Sequence, residues 1–341
     1  METGENDNVK DERNYSLLRH NTFGIDAKCS RFLEYKTIEE ALQVAAILRE
    51  SSLPYIIIGG GSNLLLTQDF DGIVVHSAMK GVCFDGERMF CGSGEVWDDV
   101  VVKSLEHGLY GLENLSLIPG DVGASAVQNI GAYGIEVKDA IRNVYTVEIA
   151  TGKMPILSSE QCEYGYRDSR FKHDWKNRYL ITAVEYELSS VFRPRLLYGT
   201  IRSELEQRGI TEPTAQQVRE TVIDIRNAKL PDPKVMGNAG SFFMNPVVSR
   251  EKYEQLAAQY EGMPHYVVDA GHEKIPAGWM IDQCGWKGRT LGRAGVHDKQ
   301  ALVLVNRGGA TGQEILALSE AVRHDVMEKF GIEIHPEVHI I

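Results

Sequence analysis

Two glycine-rich stretches carry the clearest chemical signal in the chain. The first, Gly59-Gly60-Gly61-Ser62-Asn63-Leu64, follows an aliphatic run, Tyr55-Ile56-Ile57-Ile58. Successive main-chain N–H groups in such a bend converge into a nest that holds a phosphate, and glycine admits the ligand with no Cβ in the way. A tight strand–turn connection without any ligand reads equally well from this motif alone. The second stretch, Ser116–Gly134 (SLIPGDVGASAVQNIGAYG), is rich in small residues yet holds apolar Ile118, Val122, Val127 and Ile130. A flexible linker is more polar than this. Ile118, Pro119, Gly120, Gly123, Ala124, Ser125, Val127, Asn129, Gly131 and Tyr133 read as backbone wrapped around a ligand, with Asn129 and Tyr133 offering hydrogen bonds. A large amphipathic group suits both stretches together, and a flavin carrying a pyrophosphate fits that description.

Other local motifs fail. Leu64 stands where the dinucleotide fingerprint needs its third glycine. Met154 follows Gly152-Lys153, so no Walker A loop forms, and there is no H-E-x-x-H or EF-hand pattern. Ser125 in G-A-S-A-V lacks the closing glycine of a nucleophile elbow. The five cysteines, Cys29, Cys83, Cys91, Cys162 and Cys284, are scattered, with no C-x-x-C pair, so neither a disulfide framework nor a structural zinc site is expected. No metal is expected. With 36 Lys+Arg against 48 Asp+Glu the net charge is −12, which argues against a nucleic-acid binder.

The elements that must position these bends follow from periodicity. At 341 residues the chain is long enough for two or three domains, and 43% hydrophobic content excludes disorder. The pattern predicts helices over Thr37–Glu50, Trp97–His107, Pro213–Ala228, Arg250–Gln259 and Thr311–Phe330, the last closed by Gly331. Strands are expected at Tyr55–Ile58, Gly72–His76, Val144–Ala150, Leu180–Leu188, Gly240–Val248 and Ile332–Ile341. Residues 1–14 read as a flexible tail, and Lys229–Lys234 (KLPDPK) as a domain boundary. The polar start has no signal-peptide character, and no aliphatic run is long enough to span a bilayer, so a cytoplasmic protein with no membrane partner is expected. Interleaved strands and helices give an α+β class and not one doubly wound sheet.

With these segments quoted, the chain resembles the UDP-N-acetylenolpyruvoylglucosamine reductase family. The matching blocks are IIGGGSNLLL (Ile57–Leu66), Ser116–Val137, YGYRDSRFK (Tyr164–Lys172), KLPDPKVMGNAGSFFMNPVV (Lys229–Val248), AGWMIDQCGWKG (Ala277–Gly288) and HPEVHII (His335–Ile341), in family order. The resemblance implies a two-subdomain FAD-binding fold of the vanillyl-alcohol-oxidase type plus a C-terminal α+β substrate domain. It divides the chain into residues 15–78 and 79–228 for the flavin, with 331–341 returning to the second of these, and 229–330 for the substrate. It further implies FAD as cofactor, NADPH as co-substrate, UDP-N-acetylglucosamine enolpyruvate as the molecule reduced, and a monomer.

The resemblance also assigns roles. Hydride addition at the enolpyruvyl β-carbon leaves negative charge on the α-carbon and its carboxylate, so the charge must be stabilised and the α-carbon protonated. Arg167 and Glu337 take the first task and Ser241 the second. A guanidinium holds a carboxylate bidentately at any working pH, whereas a serine hydroxyl needs partners to act as an acid. Tyr166, Tyr198, Lys229 and Asn245 are implied contacts to the nucleotide sugar, with Tyr198 in the extra tyrosine loop of the family's first structural class. Without the resemblance each reads more blandly: Arg167 as a loop ion pair with Asp168, Ser241 as a small strand residue, Glu337 as an exposed strand carboxylate. The chain departs from the family where His339 stands in place of a frequent arginine and His335 in place of a frequent acid. Two other readings remain open: a flavin oxidase using molecular oxygen, and a binding module without catalysis.

Overall fold

The computed structural model describes residues 9–197 and 200–341, and Tyr198 therefore lies outside the described residues. The chain divides into two compact units. Of the described residues, one combines 9–15 with Cys29–Gly60 and Asp71–Ala228; the other combines Ser16–Lys28, Gly61–Phe70 and Lys229–Ile341.

Among the described residues, the first unit holds a four-stranded and a five-stranded sheet. In the four-stranded one, β1 (Lys10–Ser16), β2 (Lys28–Tyr35), β5 (Phe70–Ser77) and β3 (Tyr55–Ile58) lie side by side in that order, β4 (Leu64–Leu65) belonging to the other unit. β3 and β5 are parallel, with Tyr55 opposite Ile73 and Ile58 opposite His76. The connection between them is residues 59–69, which carries the glycine bend, while α1 (Ile38–Glu50) joins β2 to β3 and packs Ala41, Val44, Ala45 and Leu48 with Leu33, Tyr35, Ile73 and Val75. Thr37 caps α1 by accepting from the Glu40 N–H. The five-stranded antiparallel sheet runs β11 (Ile156–Ser158), β10 (Ile141–Glu148), β12 (Tyr179–Glu187), β7 (Arg88–Gly92), β6 (Val82–Asp85). Helices α2 (Trp97–Glu106) and α3 (Val122–Gln128) bury Trp97, Val100, Val122 and Ala126 in the core beneath it. A small hairpin, β8 (Gly131–Ala132) with β9 (Ile135–Glu136), follows α3. Helices α4 (Ile201–Gln207) and α5 (Ala215–Lys229) pack Ile201, Leu205, Val218, Val222 and Ile225 together.

The second unit is built on β13 (Asn238–Ser241), β19 (Val303–Asn306), β18 (Ala294–Val296) and β17 (Thr290–Leu291), with β14 (Val247–Ser249), β16 (His272–Lys274) and β15 (Tyr266–Val267) in a second sheet. Three helices accompany them: α6 (Arg250–Ala257), α7 (Ala277–Gln283) and α8 (Gly312–Phe330). Thr311 and Glu314 form a capping box at the start of α8, and Gly331 ends it with φ 59°. The last strand, β20 (His339–Ile340), runs parallel to β4.

Several expectations need correction. Lys10–Asn14 is not a tail: it lies within β1, where Arg31 clasps Asp11 at 2.6 and 2.8 Å and Tyr15 stacks on Phe32 at 4.2 Å. Charged residues on an edge strand disguise it as a polar tail. The strand expected at Gly240–Val248 is two, β13 and β14, because Pro246 has no N–H to give a ladder. The strand expected over Ile332–Ile341 is confined to His339–Ile340 plus a bridge between Phe243 and Pro336. This tail returns to Leu64–Leu65 and not to strands of residues 79–228. Part of the second glycine-rich stretch is helical, since α3 lies inside it.

Candidate active site

In the first unit, the glycine bend after β3 faces the start of α3. A Cβ on Gly59 would sit 2.7 Å from the Ala124 Cβ, and one on Gly60 would sit 3.2 Å from Asp121 Oδ1 and 3.4 Å from the Gly120 Cα. Gly123 is held against β7's end, donating to the Ser93 carbonyl at 2.8 Å. Glycines at 59, 60, 120 and 123 bring the two main chains close together, and glycine-rich main chain suits a diphosphate-bearing group that must approach amides closely. Asp121 would repel such a group if left alone. Its Oδ2 lies 3.5 Å from His76 Nε2, while His76 Nδ1 lies 2.9 Å from Glu34 Oε2. Burial disfavours the charged imidazole, but the Asp121 and Glu34 carboxylates outweigh it and raise the His76 pKa to about 9. His76 is thus cationic at neutral pH and offsets Asp121. The sequence reading missed this pair; its only trace was an acidic residue after Pro119-Gly120.

Two residues expected to touch the cofactor have side chains engaged within the fold. The Ser125 hydroxyl donates to the Val122 carbonyl at 2.7 Å and lies 3.3 Å from the buried Tyr186 hydroxyl. Asn129, fully buried at φ 46°, donates to the Gly165 carbonyl at 2.6 Å and to Glu136 Oε2 at 3.2 Å, and accepts from the Lys138 N–H at 3.1 Å. Asn129 in the left-handed region ends α3 and fastens it to the turn that carries Arg167. Val127 likewise accepts from the Ser169 hydroxyl at 2.6 Å.

Arg167 sits at the tip of a tight turn closed by Gly165 and Asp168, whose N–H groups donate to each other's carbonyls at 3.0 and 3.1 Å. Its φ of 55° is a conformation that non-glycine residues seldom adopt. The guanidinium donates to the Gly131 carbonyl and, at 3.5 Å, to that of Asn129. It lies 5.6 Å from the Tyr166 ring, and Tyr166 is 54% exposed. Asp168 engages His173 Nε2 at 2.7 and 2.8 Å. Tyr133, φ 49°, packs on the apolar face of α5.

The second unit brings together Gly61–Leu64, Ser241 and Glu337. Gly61, φ 66°, leaves no room for a side chain beside the His20 carbonyl. The Asn63 side chain donates to the Glu337 carbonyl at 3.2 Å, and the His339 N–H donates to the Asn63 carbonyl at 3.0 Å. The Glu337 N–H donates to the Phe242 carbonyl and the Met244 N–H to that of His335, at 2.8 and 2.9 Å. Ser241 therefore stands next in chain to the residue that anchors Glu337. It is exposed, whereas Phe242 and Phe243 behind it are buried. Asn245 Oδ1 accepts from the Ala277 N–H at 2.9 Å and so holds the start of α7, while Lys229 is the exposed last residue of α5.

Residues 30–158 match the model of an FAD binding domain, and residues 232–341 match the C-terminal domain of UDP-N-acetylenolpyruvoylglucosamine reductase. A protein of that name from Bacteroides fragilis is 55% identical over 336 residues, covering 97% of this chain and 100% of the relative. One from Burkholderia multivorans is 47% identical, covering 95% of each. The chain belongs to the UDP-N-acetylenolpyruvoylglucosamine reductase family. The crystal structure of the reductase from Thermus caldophilus shares the fold, with a TM-score of 0.68 at 22% identity over 97% of this chain and 98% of that one. The family places the chain among FAD-binding oxidoreductases, with the α+β flavin fold followed by the family's own C-terminal domain.

Proposed function

We propose that the chain catalyses NADPH-dependent reduction of UDP-N-acetylglucosamine enolpyruvate to UDP-N-acetylmuramate, as a monomeric cytoplasmic enzyme. The relatives' names support the substrate, and no helix among the described residues is long and apolar enough to cross a membrane. FAD, when bound, supplies the chemistry of taking a hydride from NADPH and delivering it from N5 to the enolpyruvyl β-carbon. Gly59–Leu64 and the Ile118–Ala124 segment are the main chain that would hold it.

The remaining tasks fall to side chains. Arg167, fixed by the carbonyls of Gly131 and Asn129, orients the substrate carboxylate and stabilises charge arising there. Ser241 gives its hydroxyl proton to the α-carbon. Glu337, in its protonated form, donates a hydrogen bond that supports the developing charge. Tyr166, Tyr198, Lys229 and Asn245 serve the nucleotide sugar. The observation that best supports this reading is the antiparallel run of Ser241–Met244 beside His335–Glu337, two neighbouring segments of one unit that carry the proposed proton donor and the proposed carboxyl group.

A visible spectrum tests it. The purified protein should be yellow, bleach with NADPH under anaerobic conditions, and recover its colour when the enolpyruvyl nucleotide is added. Ser241→Ala should bleach normally and fail to recover. Reoxidation by oxygen alone at a comparable rate would favour the oxidase reading.

A further inference from the structure

Helix α5 carries Arg219 and Arg226, seven residues apart and so on one face two turns along. Arg219 is fully matched: its Nη1 and Nη2 donate to the two oxygens of Asp98 at 2.7 and 2.8 Å. Asp98 also accepts from the Leu117 N–H at 2.6 Å. Arg226 differs. Its Nε is sealed from solvent and has no hydrogen-bond partner among the described residues. Burial lowers its pKa, Tyr133 and Asp98 partly offset this, and Arg167 deepens it. A buried guanidinium N–H without a partner, in the field of a second guanidinium, is costly unless an anion joins it.

The surroundings say where that anion sits. Arg167 donates to the Gly131 carbonyl, and two residues on Tyr133 packs on the α5 cluster of Val218, Val222 and Ile225. The Gly131–Tyr133 run thus meets Arg167 at one end and, at the other, the apolar cluster of the helix that carries Arg226. We propose that Arg226 is a second guanidinium of the substrate pocket, binding with Arg167 the three-carbon carboxylate. This rests on the reaction proposed above. A carboxylate presents about four lone-pair sites, enough for two guanidinium forks. Arg226 lies in the last turn of α5, whose negative dipole end tolerates a monoanion better than a phosphate dianion.

The test uses flavin-loaded enzyme and two probes: the enolpyruvyl nucleotide, and UDP-N-acetylglucosamine, which lacks the carboxylate. In Arg226→Met the dissociation constant for the first, read from the flavin spectrum, should rise at least tenfold, that for the second should stay within twofold, and NADPH bleaching should keep its rate. Arg226→Lys should recover part of the loss. If both ligands weaken equally, the contact is to phosphate and the proposal falls; if neither weakens, the arginine is structural and it also falls. Where Arg226→Met loses its flavin, Arg226→Lys carries the same comparison: selective weakening supports the contact and its absence overturns it. Reoxidation of the unsubstituted enzyme by the enolpyruvyl nucleotide checks the reaction independently, so failure there is told apart from failure of this contact.

Discussion

Glu337 shows how much a side chain's work depends on its main chain. Its N–H is tied to Phe242 and its carbonyl to Asn63, so the point from which the carboxyl group projects is fixed. Glu337→Gln keeps this frame and removes only the acid. We expect kcat to fall at least a hundredfold while the substrate dissociation constant changes by less than about threefold, the mark of an interaction made in the transition state. Equal losses in both would assign Glu337 to ground-state binding. At His76 the argument is one of charge. Its pKa, held down by burial but raised to about 9 by Asp121 and Glu34, exceeds the unfolded value of about 6.5. The native state therefore binds the proton more tightly. The resulting stabilisation is complete below pH 6.5 and is lost as pH rises through 9, an effect on the order of 3 kcal/mol. Urea unfolding between pH 6.5 and 9.5 should show that decline in the unsubstituted protein and a flatter profile in His76→Gln; parallel profiles would remove the imidazolium from the account.

The return of the chain end depends on a very short element. β20 pairs with β4, and the terminal carbonyl of Ile341 accepts from both the N–H and the hydroxyl of Thr67, at 2.6 and 2.7 Å. Deleting His339–Ile341 removes the pairing that holds the segment just after Glu337. Such a protein should fold, lose turnover by at least tenfold, and lose less of its NADPH-driven flavin reduction. Unchanged steady-state activity would show that the Phe242 and Asn63 contacts suffice to place Glu337. This element also shows where the sequence stops being legible. α1 and α8 were readable because their apolar spacing, caps and closing glycine agree with one another. β3 was readable as an aliphatic run ending in glycine. Nothing local marks a two-residue strand whose partner lies hundreds of residues away. Nor could small residues in Val122–Gln128 reveal α3, because their helical packing is set by Ser93, Tyr186 and the sheet beneath. At the site, the bends were visible because glycine spacing is local. That Ser125 and Asn129 face inward was not, because their partners come from distant strands and loops.

On the scale of the whole molecule, the second unit is discontinuous. The bend from Gly61 to Leu64 lies outside the sequence of the C-terminal domain yet belongs to the same compact unit as residues 229–341. A lesion in that domain should therefore reach the flavin, although the FAD binding domain is matched only over residues 30–158. Gly312 provides the test. It opens α8, and a Cβ there would fall inside the contact shell of the Leu66 carbonyl, with the Thr67 Cα only 2.7 Å away. Backbone on both sides leaves nothing flexible to yield, so Gly312→Ala should cost roughly 1–3 kcal/mol through overpacking. If Gly61–Leu64 holds part of the cofactor, the displaced β4 segment carries the bend with it. The variant should then retain less flavin per mole of protein after gel filtration, and added FAD should raise its melting temperature more than it raises that of the unsubstituted protein. A variant that melts earlier but keeps its full complement of flavin would separate the two events, and would confine the cofactor's anchorage to the first unit.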